Sequence, residues 1–192
     1  MSEPPSAPKG TDVRLFFALW PDTDTRARIV SAAEALRLAG EARLVPRENF
    51  HMTLAFVGEV ATPQLAVLQQ IGRAQRASGC TLTIDAYEYW AEPQVVVAVA
   101  REPPTALVEL WMRLALNLNR RQPSLHAHVT LARKVAQAPV LQAMSPFQWS
   151  ARSFSLVRSD TSGARSVYTV VDTWPLLDER PKPKKSLQFR CI

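Results

Sequence analysis

Two stretches of the sequence share one frame, FHMTLAF at residues 50–56 and AHVTLAR at residues 127–133. The shared pattern is His-x-Thr-Leu-Ala, and it takes in two of the 3 histidines of the chain. Side chains two residues apart on a β-strand point to the same face, so each histidine would project beside the threonine of its motif. The leucine that follows would point into a core. The repeat therefore predicts two related strands that each present an imidazole and a hydroxyl.

Paired imidazoles suit acid–base chemistry if the two motifs face each other across a cleft. One ring can give a proton and the other can take one near neutral pH. The neighbouring hydroxyls can donate to phosphoryl oxygens. A single such motif is more typical of a structural histidine, but the matched pair favours catalysis. The motifs hold no carboxylate or cysteine companion for a metal, so we expect neither a metal nor another cofactor.

The rest of the chain mixes strands and helices without strict alternation, which predicts an α+β fold with largely antiparallel pairing. A mostly apolar run over Val13–Trp20 predicts the first strand. Helices are predicted from Pro21-Asp22 to Gly40, from a Thr62 hydroxyl cap, and after Pro103-Pro104 along an apolar stripe. The other strands are predicted over His51–Val57, Thr81–Tyr87, Val95–Ala100, His128–Val135, Ala151–Arg158 and Ser166–Thr173.

Composition places the 192-residue chain among ordinary globular proteins, because 47% of its residues are hydrophobic and 21% are charged. We expect a single bilobal domain over residues 13–177, with a flexible tail at 1–12 and a basic tail at 178–192. No apolar run approaches the roughly 20 residues needed to span a bilayer, and the first residues lack the pattern of a secretory signal. A cytoplasmic location is therefore expected, and we also expect a monomer. The net charge of +6 favours polyanionic partners.

The flanks of both motifs carry a more specific resemblance. RLVPRENFHMTLAFVGE at residues 43–59 and HAHVTLAR at residues 126–133 resemble the two motifs of the two-histidine phosphoesterase superfamily. Within it, the sequence is most similar to the RNA 2',3'-cyclic phosphodiesterases, also called 2'-5' RNA ligases. One departure is the stretch Val95–Ala100, which is aliphatic where this family often has an aromatic residue.

The resemblance implies a bilobal fold of two small antiparallel sheets flanked by helices, with a central cleft. It also implies metal-free opening of a terminal 2',3'-cyclic phosphate on RNA, leaving a 2'-phosphate. His51 would be the proton donor and His128 the proton acceptor, while Thr53 and Thr130 would contact phosphoryl oxygens. The substrates would be RNA with such an end or small cyclic nucleotides. The alternatives are 2'-5' ligation, cleavage of a related cyclic nucleotide, and an RNA-binding module without catalysis.

Arg133 is the nearest cation to the second motif, and a guanidinium suits a phosphate. It lies five residues after His128, an odd offset, so strict strand alternation would point it away from the cleft. It reaches the phosphate only if the strand ends or bulges first. The alternative is a solvent-facing arginine at a strand end.

Overall fold

The computed structural model describes residues 13–119, 124–160 and 166–177. The two predicted tails, residues 1–12 and 178–192, lie outside the described residues. Within the described ranges the chain forms ten strands and three α-helices. In chain order they are β1 (Val13–Leu19), α1 (Thr23–Glu34), β2 (Arg43–Leu44), β3 (Met52–Val60), α2 (Leu65–Ala74), β4 (Cys80–Ile84), β5 (Ala86–Trp90), β6 (Val95–Val99), α3 (Thr105–Asn117), β7 (His128–Arg133), β8 (Phe147–Ala151), β9 (Ser153–Asp160) and β10 (Val167–Pro175).

The strands form two four-stranded sheets and one two-stranded sheet. The first sheet has the order β10-β9-β1-β3, the second has the order β2-β7-β6-β5, and β4 pairs with β8. All of these pairings are antiparallel. The α+β class and the two small antiparallel sheets are therefore confirmed, and the third sheet was not predicted. One motif strand, β3, belongs to the first sheet, and the other, β7, belongs to the second.

A single apolar core holds both motif strands in place. Leu54 of β3 and Leu131 of β7, the leucines of the two motifs, are 2% and 0% exposed and belong to the same buried cluster. Side chains of the apolar stripe on α3 complete this cluster, namely Leu107, Leu110 and Leu114. Burying one leucine contributes roughly 1.5–3 kcal/mol, so the face opposite each leucine is presented from a rigid strand.

Two of the predicted strands are broken where the chain changes sheets. The stretch predicted as Thr81–Tyr87 divides at Asp85 into β4 and β5, and the stretch predicted as Ala151–Arg158 divides at Arg152 into β8 and β9. Asp is disfavoured inside strands, and here its carboxylate accepts hydrogen bonds from the backbone N–H and Nε of Arg101. Local hydrophobic patterning cannot locate such a corner, because both halves of each stretch are strands.

The helix boundaries agree in part with the sequence. Asp22 caps α1 as predicted, accepting a 2.7 Å hydrogen bond from the N–H of Thr25, but the helix ends at Glu34, well before Gly40. The predicted hydroxyl cap at Thr62 is wrong. Residues 62–64 form a 3₁₀ turn capped at Ala61, whose N–H donates to Gln64 Oε1 at 3.1 Å. The α2 helix begins after this turn.

Candidate active site

A β-bulge in β7 decides where Arg133 points. His128, Thr130 and Arg133 lie opposite Val99, Val97 and Val95 of β6, respectively. The register slips by one residue between the last two of these pairs, which leaves Leu131 as the extra residue of a bulge. Residues directly opposite each other on antiparallel strands share a face. Arg133 therefore lies on the same face as the histidine and threonine of its motif, because the bulge on which its orientation was expected to depend is present.

The first motif has the same irregularity. Phe17 of β1 lies opposite Ala55, whereas Ala18 lies opposite Thr53, so Leu54 is the extra residue of β3. Phe56, five residues after His51, thus corresponds to Arg133. Its side chain is 55% exposed. The internal repeat extends to the backbone, and the position two residues after each bulge carries Phe56 in one copy and Arg133 in the other.

A cavity of about 300 Å³ lies between the two sheets, and we call it the cleft. It is lined by residues of both motifs and by side chains of β1, β9 and β10. The five site residues predicted from sequence all line it, namely His51, Thr53, His128, Thr130 and Arg133. The structure thus brings together the predicted acid–base pair, the two hydroxyls and the cation. It also adds Arg14 and Phe56, which sequence reasoning missed.

Both imidazoles are fixed by the same backbone contact. His51 Nδ1 lies 2.7 Å from the carbonyl oxygen of Asn49, and His128 Nδ1 lies 2.6 Å from that of His126. A carbonyl oxygen only accepts, so in each ring Nδ1 carries the proton. The free nitrogen of each ring is therefore Nε2. It is a proton acceptor in the neutral ring and a donor only in the imidazolium.

Aromatic rings enclose His51. The indole of Trp20 stacks on the imidazole, with ring centroids 5.5 Å apart and planes 10° apart. Phe16 and Tyr168 approach the same ring at centroid distances of 4.9 and 5.0 Å. These contacts exclude water from most of the ring and hold its plane, leaving the cleft side for the substrate.

A second tryptophan plays the corresponding part for His128. Trp90, the last residue of β5, packs on the imidazole with ring centroids 4.5 Å apart. Its indole N–H donates to Glu88 Oε2 at 2.8 Å. The ring also packs against the buried valines of β6, at positions 95, 97 and 99. The aliphatic side chains of β6 thus pack under Trp90, which the neighbouring strand β5 supplies.

Burial lowers the pKa of both catalytic candidates. The pKa of His51 falls to about 4, mainly through desolvation, with smaller lowering contributions from the charges of Arg133 and His128. Its hydrogen bond to the Asn49 carbonyl opposes that shift. Desolvation also lowers the pKa of His128, opposed by the bond to His126 and by the negative charge of Glu88. His51 is therefore neutral at pH 7, and a bound anion would raise its pKa.

The described residues offer no set of three or more His, Cys, Asp and Glu side chains that could hold a metal ion. None of the described helices is long and apolar enough to cross a membrane.

The arrangement of the cleft suits proton transfer on either side of an anionic phosphodiester, with hydroxyls and a guanidinium to hold its charged oxygens.

Comparison with known proteins gives consistent matches. The family model of LigT-like phosphoesterases matches residues 19–100. The RNA 2',3'-cyclic phosphodiesterase of Escherichia coli K12 is 32% identical over 171 residues, which cover 85% of this chain and 96% of that protein. The enzyme of the same name from Thermus thermophilus is 28% identical over 182 residues, covering 87% and 92% of the two chains.

Solved structures agree with the sequence matches. A crystal structure described as a phosphoesterase superposes with a TM-score of 0.80 at 28% identity, over 86% of this chain and 99% of the other. The crystal structure of E. coli LigT complexed with 3'-AMP gives a TM-score of 0.77 at 30% identity, over 86% and 99% of the two chains. These likenesses extend over most of the chain and confirm the predicted fold.

Proposed function

Because this chain belongs to the LigT-like phosphoesterase family, we propose that it hydrolyses the terminal 2',3'-cyclic phosphate of RNA and leaves a 2'-phosphate. Two relatives bear the name RNA 2',3'-cyclic phosphodiesterase. The observation that supports the proposal most directly is the cleft itself. There the two motif histidines, His128 in β7 and His51 immediately before β3, line one cavity together with two hydroxyls and a guanidinium.

In the proposed reaction, water attacks the phosphorus atom of the cyclic phosphate. Nε2 of His128 accepts a proton from that water as the P–O bond forms. The bond between phosphorus and the 3'-oxygen breaks, and Nε2 of His51 donates a proton to the departing oxygen. The products are a 2'-phosphomonoester and a free 3'-hydroxyl. His128 ends protonated and His51 neutral, and exchange with solvent resets both rings. Each positioned acid or base contributes roughly 10²–10⁴-fold to the rate.

His51 has to take up its proton when the substrate binds. The Nδ1–H of this ring is bonded to the Asn49 carbonyl, so only the imidazolium can donate from Nε2. Burial holds the pKa of His51 at about 4, and a neutral ring has no proton to give from that nitrogen. The negative charge of a bound phosphodiester favours the imidazolium and raises this pKa. We propose that substrate binding and protonation of His51 are coupled in this way.

Charge on the phosphate is met by groups of both motifs. The hydroxyls of Thr53 and Thr130 donate to non-bridging oxygens, and the guanidinium of Arg133 neutralises the charge that develops there. The reaction then requires no metal ion. All of these residues belong to one chain, so a monomer suffices. We propose a cytoplasmic location for this RNA-processing activity.

The test is a short RNA ending in a 2',3'-cyclic phosphate, incubated with the protein in EDTA, followed by separation of the 2'- and 3'-phosphate products. We expect the 2'-phosphate isomer alone. His51→Ala and His128→Ala should each lower the rate by at least ~10²-fold, since each removes one arm of the catalysis. A 3'-phosphate product, or no reaction by the wild-type protein, would overturn the proposal. An added RNA with a 5'-hydroxyl reports any joining activity in the same assay.

A further inference from the structure

The cleft opens into a second, larger cavity of about 750 Å³, which we call the basic cavity. The residues common to both linings are His51, Thr130, Arg133, Ser166 and Tyr168. A volume of this size lies within the range of sites that hold small organic ligands. The cyclic phosphate at the two histidines would therefore fill only one end of a longer depression.

Three cations line the basic cavity. Arg43 of β2 lies directly opposite Arg133 in the ladder between β2 and β7, and Lys134 follows Arg133 in the chain. Lys134 has a φ of 58°, in the left-handed region that residues other than glycine rarely adopt. Such local strain persists where the surrounding structure imposes it, often at binding sites.

These cations have no ion-pair partner among the described residues. The ion pairs of the described residues join Arg101 to Asp85 and Arg113 to Glu109. Neither of these arginines lines the basic cavity. Like charges directly opposite each other on antiparallel strands are destabilising. Among the described residues of the lining, Glu48 alone carries a carboxylate, and it can offset only one of the three positive charges. The cavity is therefore suited to an anion beyond the cyclic phosphate, which already engages Arg133.

In RNA the nearest second anion is the phosphodiester on the 5' side of the terminal nucleotide, one ribose away from the cyclic phosphate. We propose that the basic cavity binds this 5'-phosphate through Arg43 and Lys134, so that the protein prefers the end of an RNA chain to a cyclic mononucleoside phosphate. This inference rests on the proposed function and names the part of the substrate that sets its specificity. Guanidinium and ammonium groups are among the side-chain groups that bind backbone phosphates.

The test compares three substrates that end in a 2',3'-cyclic phosphate: a nucleoside with a free 5'-hydroxyl, the same nucleoside with a 5'-phosphate, and a dinucleotide. Arg43→Ala and Lys134→Ala should each lower kcat/KM roughly tenfold on the last two substrates. Neither should change kcat/KM on the 5'-hydroxyl nucleoside. Arg73→Ala on α2 removes the same charge from an exposed position outside the cavity lining and serves as the matched control.

Salt gives an independent readout. Salt screens the attraction between a cation and a phosphate, so removing one such cation reduces the dependence of affinity on salt concentration. We expect that reduction for each variant on the dinucleotide and none on the 5'-hydroxyl nucleoside. Arg43→Gln and Lys134→Gln keep much of the length of each stem and replace the alanine variants if either of those fails to fold.

The outcomes separate the two proposals. Equal losses on all three substrates, or no loss on any, would overturn the role of the basic cavity. If the wild-type protein opens none of the substrates, the proposed function fails. Titration of its tryptophan fluorescence with the 5'-hydroxyl and 5'-phosphate nucleosides then still tests the cavity. A preference for the 5'-phosphate that disappears in Arg43→Ala supports it, and equal binding of the two ligands overturns it.

Discussion

The indole of Trp90 packs on the imidazole of His128 with ring centroids 4.5 Å apart, and Glu88 holds that indole through a 2.8 Å hydrogen bond from its N–H. On the other side of the cleft, Trp20 stacks on His51 at 5.5 Å. On each side of the cleft, one tryptophan thus packs on the histidine and orients its ring. Because each imidazole is also bonded to a backbone carbonyl through Nδ1, its remaining freedom is a tilt about that bond, which the indole restricts.

Trp90 is therefore a positioning residue for the proposed proton acceptor. We expect Trp90→Ala to lower kcat at least tenfold with little change in KM, since a misaligned base loses rate rather than affinity. Trp90→Phe keeps a flat ring without the N–H and should recover most of the loss. The measurement is steady-state kinetics on the cyclic phosphate. A wild-type kcat in Trp90→Ala would contradict this role, and a rise in KM alone would assign the indole to substrate binding.

Glu88→Gln tests the electrostatic side of the same contact. The glutamine still offers an oxygen to the indole N–H, but it removes a negative charge that raises the pKa of His128. The imidazolium loses that support, so the pKa of His128 should fall. The acidic limb of the rate profile, where the base is protonated, should move to lower pH. NMR titration of the His128 ring checks the shift directly, and an unchanged or higher pKa would contradict the argument.

The faces of the two motif strands are predictable from the sequence because they depend only on a period of two. His51 and His128 and their threonines accordingly lie in the cleft, and the motif leucines lie in the core. The orientation of Arg133 is not predictable in this way. It depends on the bulge at Leu131, which is defined by pairing with β6, a strand about thirty residues away in the chain.

Other parts of the site were hidden for related reasons. Trp90 and Glu88 reach His128 only because β5 and β7 flank the same strand, β6. Arg43 lies on a strand of only 2 residues, which is too short to leave a periodic pattern. The repeat itself does indicate one further residue of the cleft. Aligning the two copies pairs Phe56 with Arg133, and both residues line the cleft.

Burial of His51 predicts acid sensitivity of the fold. Its pKa is about 4 in the folded protein and about 6.5 in an unfolded chain. Above pH 6.5 the ring is neutral in both states and stability does not change. As the pH falls from 6.5 to 4, the unfolded state binds a proton that the folded state does not, so stability falls. The full penalty, reached below pH 4, is about 3 kcal/mol.

Urea unfolding at pH 7 and pH 5 measures this effect. The wild-type protein should lose about 2 kcal/mol more between the two pH values than His51→Gln does. His126→Gln, which removes an exposed histidine next to the second motif and leaves His51 in place, is the control and should still show the loss that His51 causes. An identical pH dependence in wild type and His51→Gln would show that the ring is not held neutral by burial.

The last prediction decides which histidine gives the proton and which takes it. Motif order assigns the donor to His51, although burial lowers its pKa to about 4. A cyclic substrate with sulfur in place of the 3'-oxygen separates the two roles. When water attacks its phosphorus, the P–S bond breaks and a thiolate leaves, and a thiolate with a pKa near 8.5 needs little help from an acid. Rates of His51→Ala and His128→Ala on this substrate should then differ.

We expect the sulfur substrate to restore His51→Ala far more than His128→Ala, because only the base is still required. The double variant on the natural substrate should lose much less than the product of the single losses, since the two rings act as a unit. Preferential rescue of His128→Ala would exchange the two roles, in agreement with the low pKa of His51, and would leave the two-histidine mechanism intact. Rescue of neither variant would instead remove proton donation from the rate-limiting step.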